Sequence, residues 1–389
     1  MNGWQVRELG DLCTRITVGH VGSMASRYVS HGIPFLRSQN VKPGRIDVSS
    51  LKYIDQGFHD ELVKSQLHAG DLVIVRTGEP GVAAVVPDDM GATNCSDLVI
   101  ARPGQGADVR FLCYAINETA GDFIRAHTVG AVQQHFNVAS AKKLTLDVPP
   151  LAEQRAIVGL LGALDDKIAA NDRVAFAAQS LLRSLYGSVG AETGATPIGK
   201  IGSVVRDLVK PEMLSGREPY VGLEHMPRKR VWLDTWGDTS KVASAKNAFQ
   251  SGDVLFGKLR PYFHKVGLAQ TAGVCSTDII VVRPVEDEYR PWLLMALSSD
   301  ETVAHATARS DGTRMPRAKW SDLAGFEVSW PGREAVNRFG AVATPLIQRV
   351  EAAAAESRAL AALRDTLLPQ LMSGKLRVRD AERIVEDAV

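Results

Sequence analysis

The chain has 389 residues, with 45 Lys and Arg against 44 Asp and Glu, 45% hydrophobic residues and 23% charged. This is a globular rather than a disordered composition, long enough for two or three domains. A formal charge of +1 gives no bulk polycation for nucleic acid, so any binding surface must come from local clustering of charge.

Residues 1–150 hold short β-branched runs bounded by Gly, Pro and Asp, such as DLVIVR (71–76) and DLVIAR (97–102), which read as strands. FLCYAINETAGDFIRA (111–126) reads as one helix among them, so this part is mixed α/β. The opening MNGWQVRELG carries neither a basic leader nor an apolar core, and charges interrupt the longest apolar runs, so a soluble, cytoplasmic protein with no membrane association is expected. Cys13, Cys95, Cys113 and Cys275 form no CxxC pair and read as buried, reduced thiols rather than disulfides or a zinc site.

Pro149-Pro150 stops this pattern, because proline removes a backbone donor yet is tolerated in a helix's first turn. Glu153 follows in that first turn, where the helix dipole favours an acid. Ile157, Leu161, Leu164, Ile168, Asn171, Ala175, Ala178, Leu182 and Leu185 then step by four and three, a heptad seam. Asn171 on that seam either fixes register or is simply a satisfied or solvated amide. The link GSVGAETGAT (187–196) ends the segment.

The chain then repeats itself. Gly70-Asp71-Leu72-Val73 returns as Gly252-Asp253-Val254-Leu255, and Cys95 to Pro103 returns as Cys275 to Pro284 with one added residue. Pro34-Phe35-Leu36 matches Pro219-Tyr220-Val221, which leaves extra residues, a variable loop, between Gly10 and Pro34. VLFGKL (254–259) and DIIVVRP (278–284) are the second copy's strands, and PWLLMALSSDETVAHA (291–306) its helix. A second seam runs through Phe339, Ala343, Leu346, Val350, Ala353, Ser357, Leu360 and Leu367. The expected fold is α/β (α+β): two tandem mixed α/β domains, 1–150 and 191–332, joined by long helices in 151–190 and 333–389. Helices of roughly 50 Å that pair along their length must run antiparallel, giving a pseudo-two-fold internal repeat with the domains at opposite ends.

Val148-Pro149-Pro150-Leu151-Ala152-Glu153-Gln154-Arg155-Ala156-Ile157 with Leu164-Asp165-Asp166-Lys167-Ile168, the run Gly252 to Tyr262, and Arg364 to Leu376 resemble the specificity subunits of type I restriction-modification systems over essentially the whole chain. The resemblance implies two target recognition domains, each reading one half of a bipartite, asymmetric duplex DNA site, with the helices setting the gap. It implies as partners two modification subunits, which carry S-adenosylmethionine and methylate adenine, and restriction subunits, with no cofactor in this chain. Glu153, Gln154 and Arg155 would meet a partner. The second helix departs from the pattern, starting Trp330-Pro331-Gly332-Arg333-Glu334-Ala335, so unequal docking at the two helix starts is expected.

Reading bases in a groove needs paired donors and acceptors. In the first copy Arg37, Gln39, Asn40, Arg76, Gln133, Gln134 and His135 sit where strands end or in polar loops, and are expected to meet DNA. In the second copy Lys258, Arg260, Tyr262, Lys265, Arg314, Arg317 and Lys319 hold the matching places, and the differences predict a non-palindromic target. Asp97 and Asp278, at repeat-equivalent positions, read as scaffold holding strand ends. No catalytic constellation assembles. Gly194 to Lys200 matches GxxxxGK, but Ile201 replaces the required Ser or Thr. Asp147-Val148-Pro149-Pro150 departs from the amino-methyltransferase motif in spacing and lacks its aromatic residue, and there is no HExxH pair. Two alternatives remain: a stand-alone DNA-modifying or cleaving enzyme, and an adaptor in which the paired helices are the functional part.

Overall fold

The computed structural model describes residues 3–127, 135–190, 194–312 and 315–388. The chain divides into two compact units, Met1–Asp166 with Leu360–Val389, and Lys167–Ala359. Each unit is described on its own.

In the first unit a four-stranded antiparallel sheet has the order Cys13–Val18, Leu98–Pro103, Leu72–Val75, Ala83–Val85. The runs read as strands from their β-branched residues lie at its centre, buried on both faces, which is why they do not alternate with polar residues. A second sheet, in the order Lys52–Ile54, Ile33–Leu36, Thr93–Cys95, Gln66–Leu67, contains one parallel pair, Ile33–Leu36 with Thr93–Cys95. Leu72, Ile74, Val99, Phe111, Leu112 and Phe136 form a core that the start of the first long helix (Ile157, Leu161) and the end of the second (Leu367, Leu371) close.

The second unit repeats this plan. Gly202–Val205, Ile279–Pro284, Val254–Gly257 and Val266–Ala269 follow in the same order, with Trp232–Leu233 added at the edge. Its second sheet again has a parallel pair, Tyr220–Val221 with Gly273–Cys275. Two-stranded ribbons recur too, Gln5–Glu8 with Thr145–Val148 and Gly194–Pro197 with Glu327–Trp330.

The helix expected over 111–126 is two, Val109–Thr119 and Gly121–Ala126, and its counterpart is also two, Arg290–Leu297 and Asp300–Ala308. In the second case Ser299 begins a new helix, its side chain accepting from the Thr302 amide at 3.1 Å, so a cap outweighs the continuous apolar pattern. The long helices run Leu151–Gly190 and Arg333–Met372. The first therefore passes through Gly187 to Gly190, where a link was expected. Tyr186 and Val189 pack on the second unit's core, and tertiary burial overrides the weak helix propensity of glycine.

Within the second unit Asn171 is 4% exposed. Its Nδ2 donates to the Ala353 carbonyl (3.2 Å), Glu356 Oε2 (2.8 Å) and Ser357 Oγ (3.2 Å) on the facing helix. Tyr186, fifteen residues further on, reaches Phe339 through the Trp292 ring (4.4 and 5.3 Å), so the two helices run antiparallel here. Of the expected seam, Ile168, Leu185, Leu346 and Ser357 are only half-buried; beside Leu346, Ile347 takes the buried place. In the first unit Asp165 accepts from Tyr114 Oη and, at 2.8 Å, from Arg364 Nη1, tying both long helices to the helix Val109–Thr119.

Cys95, Cys113 and Cys275 are buried, Cys13 is half-buried, and none is bridged. Burial pushes the Cys13, Cys113 and Cys275 thiols up to about 12, so they stay protonated and unreactive. No helix is long and apolar enough to cross a membrane among the described residues.

Candidate nucleic-acid interface

The polar clusters of both repeats are built on one scaffold. Asp71 accepts from Arg102 Nε (2.7 Å) and Nη2 (2.8 Å), and from the His68 amide (2.9 Å). Asp253 accepts from Arg283 Nε and Nη2 (both 2.8 Å) and from the Gln250 amide (2.8 Å). These bidentate pairs brace the two central strands behind the loops. The hydrogen bonds hold both guanidinium groups above their usual value.

In front, the first repeat gathers the end of the strand Leu72–Val75, the turn at Asp97 and the segment at His135. Asp97 sits in the left-handed region at φ 50°. Its carboxylate accepts from Arg76 Nη1 (2.7 Å) and Thr77 Oγ1 (2.9 Å), and Thr77 Oγ1 also lies 2.8 Å from His135 Nδ1. The Phe136 amide donates to the Arg76 carbonyl at 3.0 Å. Asp97 thus has the structural task read for it, and Arg76 is charge-compensated. Gln133 and Gln134 lie outside the described residues.

Of the other expected contacts in this repeat, Asn40 is a correction. It is 0% exposed, with Oδ1 accepting from the Arg37 amide (3.1 Å) and Nδ2 donating to the Asp47 carbonyl (3.0 Å), so it shapes the loop and has nothing left for a base. In the second repeat His225 holds the same place, Nδ1 accepting from the Gly222 amide at 2.9 Å. Arg37 lies over the Tyr28 ring at 5.9 Å and donates from Nη2 to the Ser50 carbonyl at 2.7 Å. Gln39 is exposed, with one long contact to Ser50 Oγ at 3.4 Å.

The second repeat joins three loops by backbone. The Lys258 amide donates to the Asp278 carbonyl (3.0 Å), the Ala318 amide to the Lys258 carbonyl (2.9 Å), and the Arg260 amide to the Pro316 carbonyl (2.7 Å). Asp278 accepts from Arg317 Nε at 3.0 Å, so it anchors an arginine as Asp97 does, although from a different loop. Lys319 pairs with Asp311. Lys265 donates to the Leu223 carbonyl, and burial holds its amine below the usual lysine range. Lys258 and Arg260 have no carboxylate partner among the described residues, and Tyr262 is 52% exposed. Arg314 lies outside the described residues. Arg206, Asn247, Thr277 and Trp320 join Lys258 and Lys319 around a cleft of about 400 Å³. No sequence signal marks these four, which come from four separate segments.

His264 closes this loop from behind, 5% exposed. Its Nε2 donates to the Ser298 carbonyl at 2.9 Å, and Nδ1 lies 3.4 Å from Asp300. Burial pushes its imidazole below the ordinary range; the bond to the Ser298 carbonyl and Asp300 oppose this, while Lys229 and Arg183 add to it. The unfolded chain therefore takes up the proton first. The neutral ring contributes its stability above about pH 6.5, and that contribution is lost as pH falls through the lower folded value. Between pH 7 and pH 5 the Tm of the second unit should fall, and His264→Asn, which tolerates the left-handed backbone, should flatten that slope. Equal slopes in the two proteins would show that another group is responsible.

At the start of the first long helix, Gln154 is a second correction. It is 1% exposed, Oε1 accepting from the Asp108 amide and Nε2 donating to the Pro149 carbonyl (both 2.9 Å), so it cannot face a partner. Glu153 accepts from Trp4 Nε1 at 3.3 Å, and Arg155 is exposed. In the second repeat Arg333, in the equivalent turn, pairs with Glu286.

Residues 1–174 match the family described as the type I restriction modification DNA specificity domain. The match covers the first 174 of the chain's 389 residues, so this part of the chain is similar to that specificity domain. The putative type I restriction enzyme MjaX specificity subunit of Methanocaldococcus jannaschii is 23% identical over 176 residues, 42% of this chain and 40% of that protein. The EcoDI specificity subunit of Escherichia coli is 32% identical over 92 residues, 23% of this chain and 20% of that one. The chain thus spans less than half the length of these two relatives. A crystal structure of the type I restriction-modification S subunit from M. genitalium shares the fold, with a TM-score of 0.59 at 15% identity, covering 95% of this chain and 96% of that one. The matched residues include Arg37, Gln39, Arg76 and His135.

Proposed function

We propose that the chain is the DNA-recognition subunit of a type I restriction-modification complex and has no catalysis of its own. The domains 1–150 and 191–332 each read one half of a bipartite, asymmetric duplex site, and the helices of 151–190 and 333–389 set the unread gap. One observation carries this reading: the two repeats share the braced Asp71–Arg102 and Asp253–Arg283 scaffold, yet hold different side chains at equivalent loop positions, Arg76 against Lys258. An unvarying frame with varied loops suits two readers of different sequences. Two modification subunits, which carry S-adenosylmethionine, and restriction subunits supply the chemistry. Arg155, exposed with Glu153 beside it, is the docking contact proposed at the first helix start. The complex works in the cytoplasm, where its DNA is.

The test is to co-express the chain with a modification subunit in a host lacking adenine methylation and to map methyladenine across the genome. A two-part, non-palindromic motif with a fixed gap is expected, and exchanging residues 1–150 for those of another specificity subunit should change one half only. Co-purification of the two chains without any motif would sink the reading in favour of an adaptor. Methyl transfer by the isolated chain would make it an enzyme.

A further inference from the structure

The turn closing the central hairpin is built twice with different residues. The Val75 amide bonds the Val82 carbonyl (2.7 Å) and the Gly257 amide bonds the Lys265 carbonyl (2.8 Å), which makes these turn ends equivalent. Three residues beyond the first end stand Gly78 and Arg260; one residue before the second stand Gly81 and His264. All four are left-handed, with φ of 95°, 51°, 97° and 52°. The first repeat meets this demand with glycine, which has no Cβ to clash. The second places an arginine and a histidine there. Arg260 is the more strained, because the following Pro261 also disfavours a helical-region conformation in the residue before it.

For His264 the compensation lies inside the protein, in its buried contact with the Ser298 carbonyl. Arg260 has no such return. It is exposed, without a carboxylate or side-chain hydrogen bond among the described residues, and its guanidinium lies 5.9 Å from the Phe263 ring, which Arg228 covers more closely at 4.0 Å. Space does not explain the difference between repeats either, since a Cβ on Gly78 would meet nothing within 4 Å. Backbone strain without internal compensation is characteristic of residues that act on something outside the chain.

We propose that Arg260 is the base-reading residue of the second repeat, held by its left-handed backbone so that the guanidinium fork meets a pair of acceptors on a base edge in the major groove, the O6 and N7 of guanine being the pair that fits. The proposal rests on the reading of the chain as a DNA-specificity subunit. Arginine also binds phosphate bidentately, so the two contacts are told apart by sequence preference, which a base contact carries and a phosphate contact does not. The turn fixes where this side chain leaves the backbone: Pro261 is buried, the Arg260 amide is bonded to the Pro316 carbonyl, and the Phe263 amide to the Arg260 carbonyl at 2.9 Å. Gly78 presents no side chain, so this reading position exists in one half-site only.

Arg260→Gly separates the possibilities, because it restores the residue the first repeat uses. Assembled with a modification subunit, the variant should have a Tm equal to or above that of the parent protein. Its preference for the methylated motif over a scrambled duplex should fall roughly tenfold to a hundredfold, with degeneracy appearing at one position of one half-site. Arg260→Lys should recover general DNA affinity but not that position. An unchanged motif in R260G, or equal weakening on every duplex, would overturn the assignment, as would a lowered Tm, which would make Arg260 a brace of the turn. Absence of any sequence preference in the parent complex would instead remove the specificity-subunit reading, and this proposal with it.

Discussion

Asp253→Ala is expected to lower the stability of the second unit by about 3 kcal/mol. The carboxylate is 2% exposed and receives three hydrogen bonds at 2.8 Å, two from Arg283 and one from the Gln250 amide. Removing it leaves a guanidinium and a backbone donor without partners. Arg283 is 38% exposed and can recover some hydration, which keeps the loss near the lower end for broken buried pairs. Asp71→Ala should act alike on the first unit, since Asp71 is 1% exposed and Arg102 31%. The two units need not unfold together, so the measurement is hydrogen exchange resolved by unit, alongside denaturant titration. A loss under about 1 kcal/mol would place these pairs with ordinary surface salt bridges.

Trp292→Ala is expected to cost about 4 kcal/mol and to lower the Tm of the second unit by on the order of 10 °C. The indole is 0% exposed, its Nε1 donates to the Ser329 carbonyl at 3.0 Å, and its ring meets Tyr186 on one long helix and Phe339 on the other. Truncation empties the place where those helices join the helix Arg290–Leu297. Trp292→Phe keeps an aromatic ring there and should lose less than half as much. DNA recognition by the second repeat should fail on warming before that of the first. If alanine is tolerated with a small change in Tm, the site has collapsed onto the cavity.

Several features were readable because they depend on neighbouring residues or on repetition. The β-branched runs at 72–75 and 254–257, the heptad steps after Pro150 and the duplicated Gly-Asp motifs are short-range patterns, and burial of the strands and of Ile157, Leu161 and Leu164 follows from them directly. Asn40, Gln154 and Leu346 went otherwise for a common reason. Their residue types suit a base contact, a docking contact and a seam, but whether a side chain faces solvent, caps a backbone or packs depends on how the segment beside it folds. Asp47 and Asp108 decide that for Asn40 and Gln154.

The sequence by itself determined the mixed α/β class, the duplication and the long amphipathic helices, because periodicity and repetition are properties of the chain alone. Tertiary structure decided which polar groups are free. Arg76, Arg317 and Lys319 look in sequence like Lys258 and Arg260, yet the first three meet Asp97, Asp278 and Asp311 across turns many residues away, and the last two do not. Ion pairing between such loops arises only when they are brought together, since it depends on the position of an atom elsewhere along the chain.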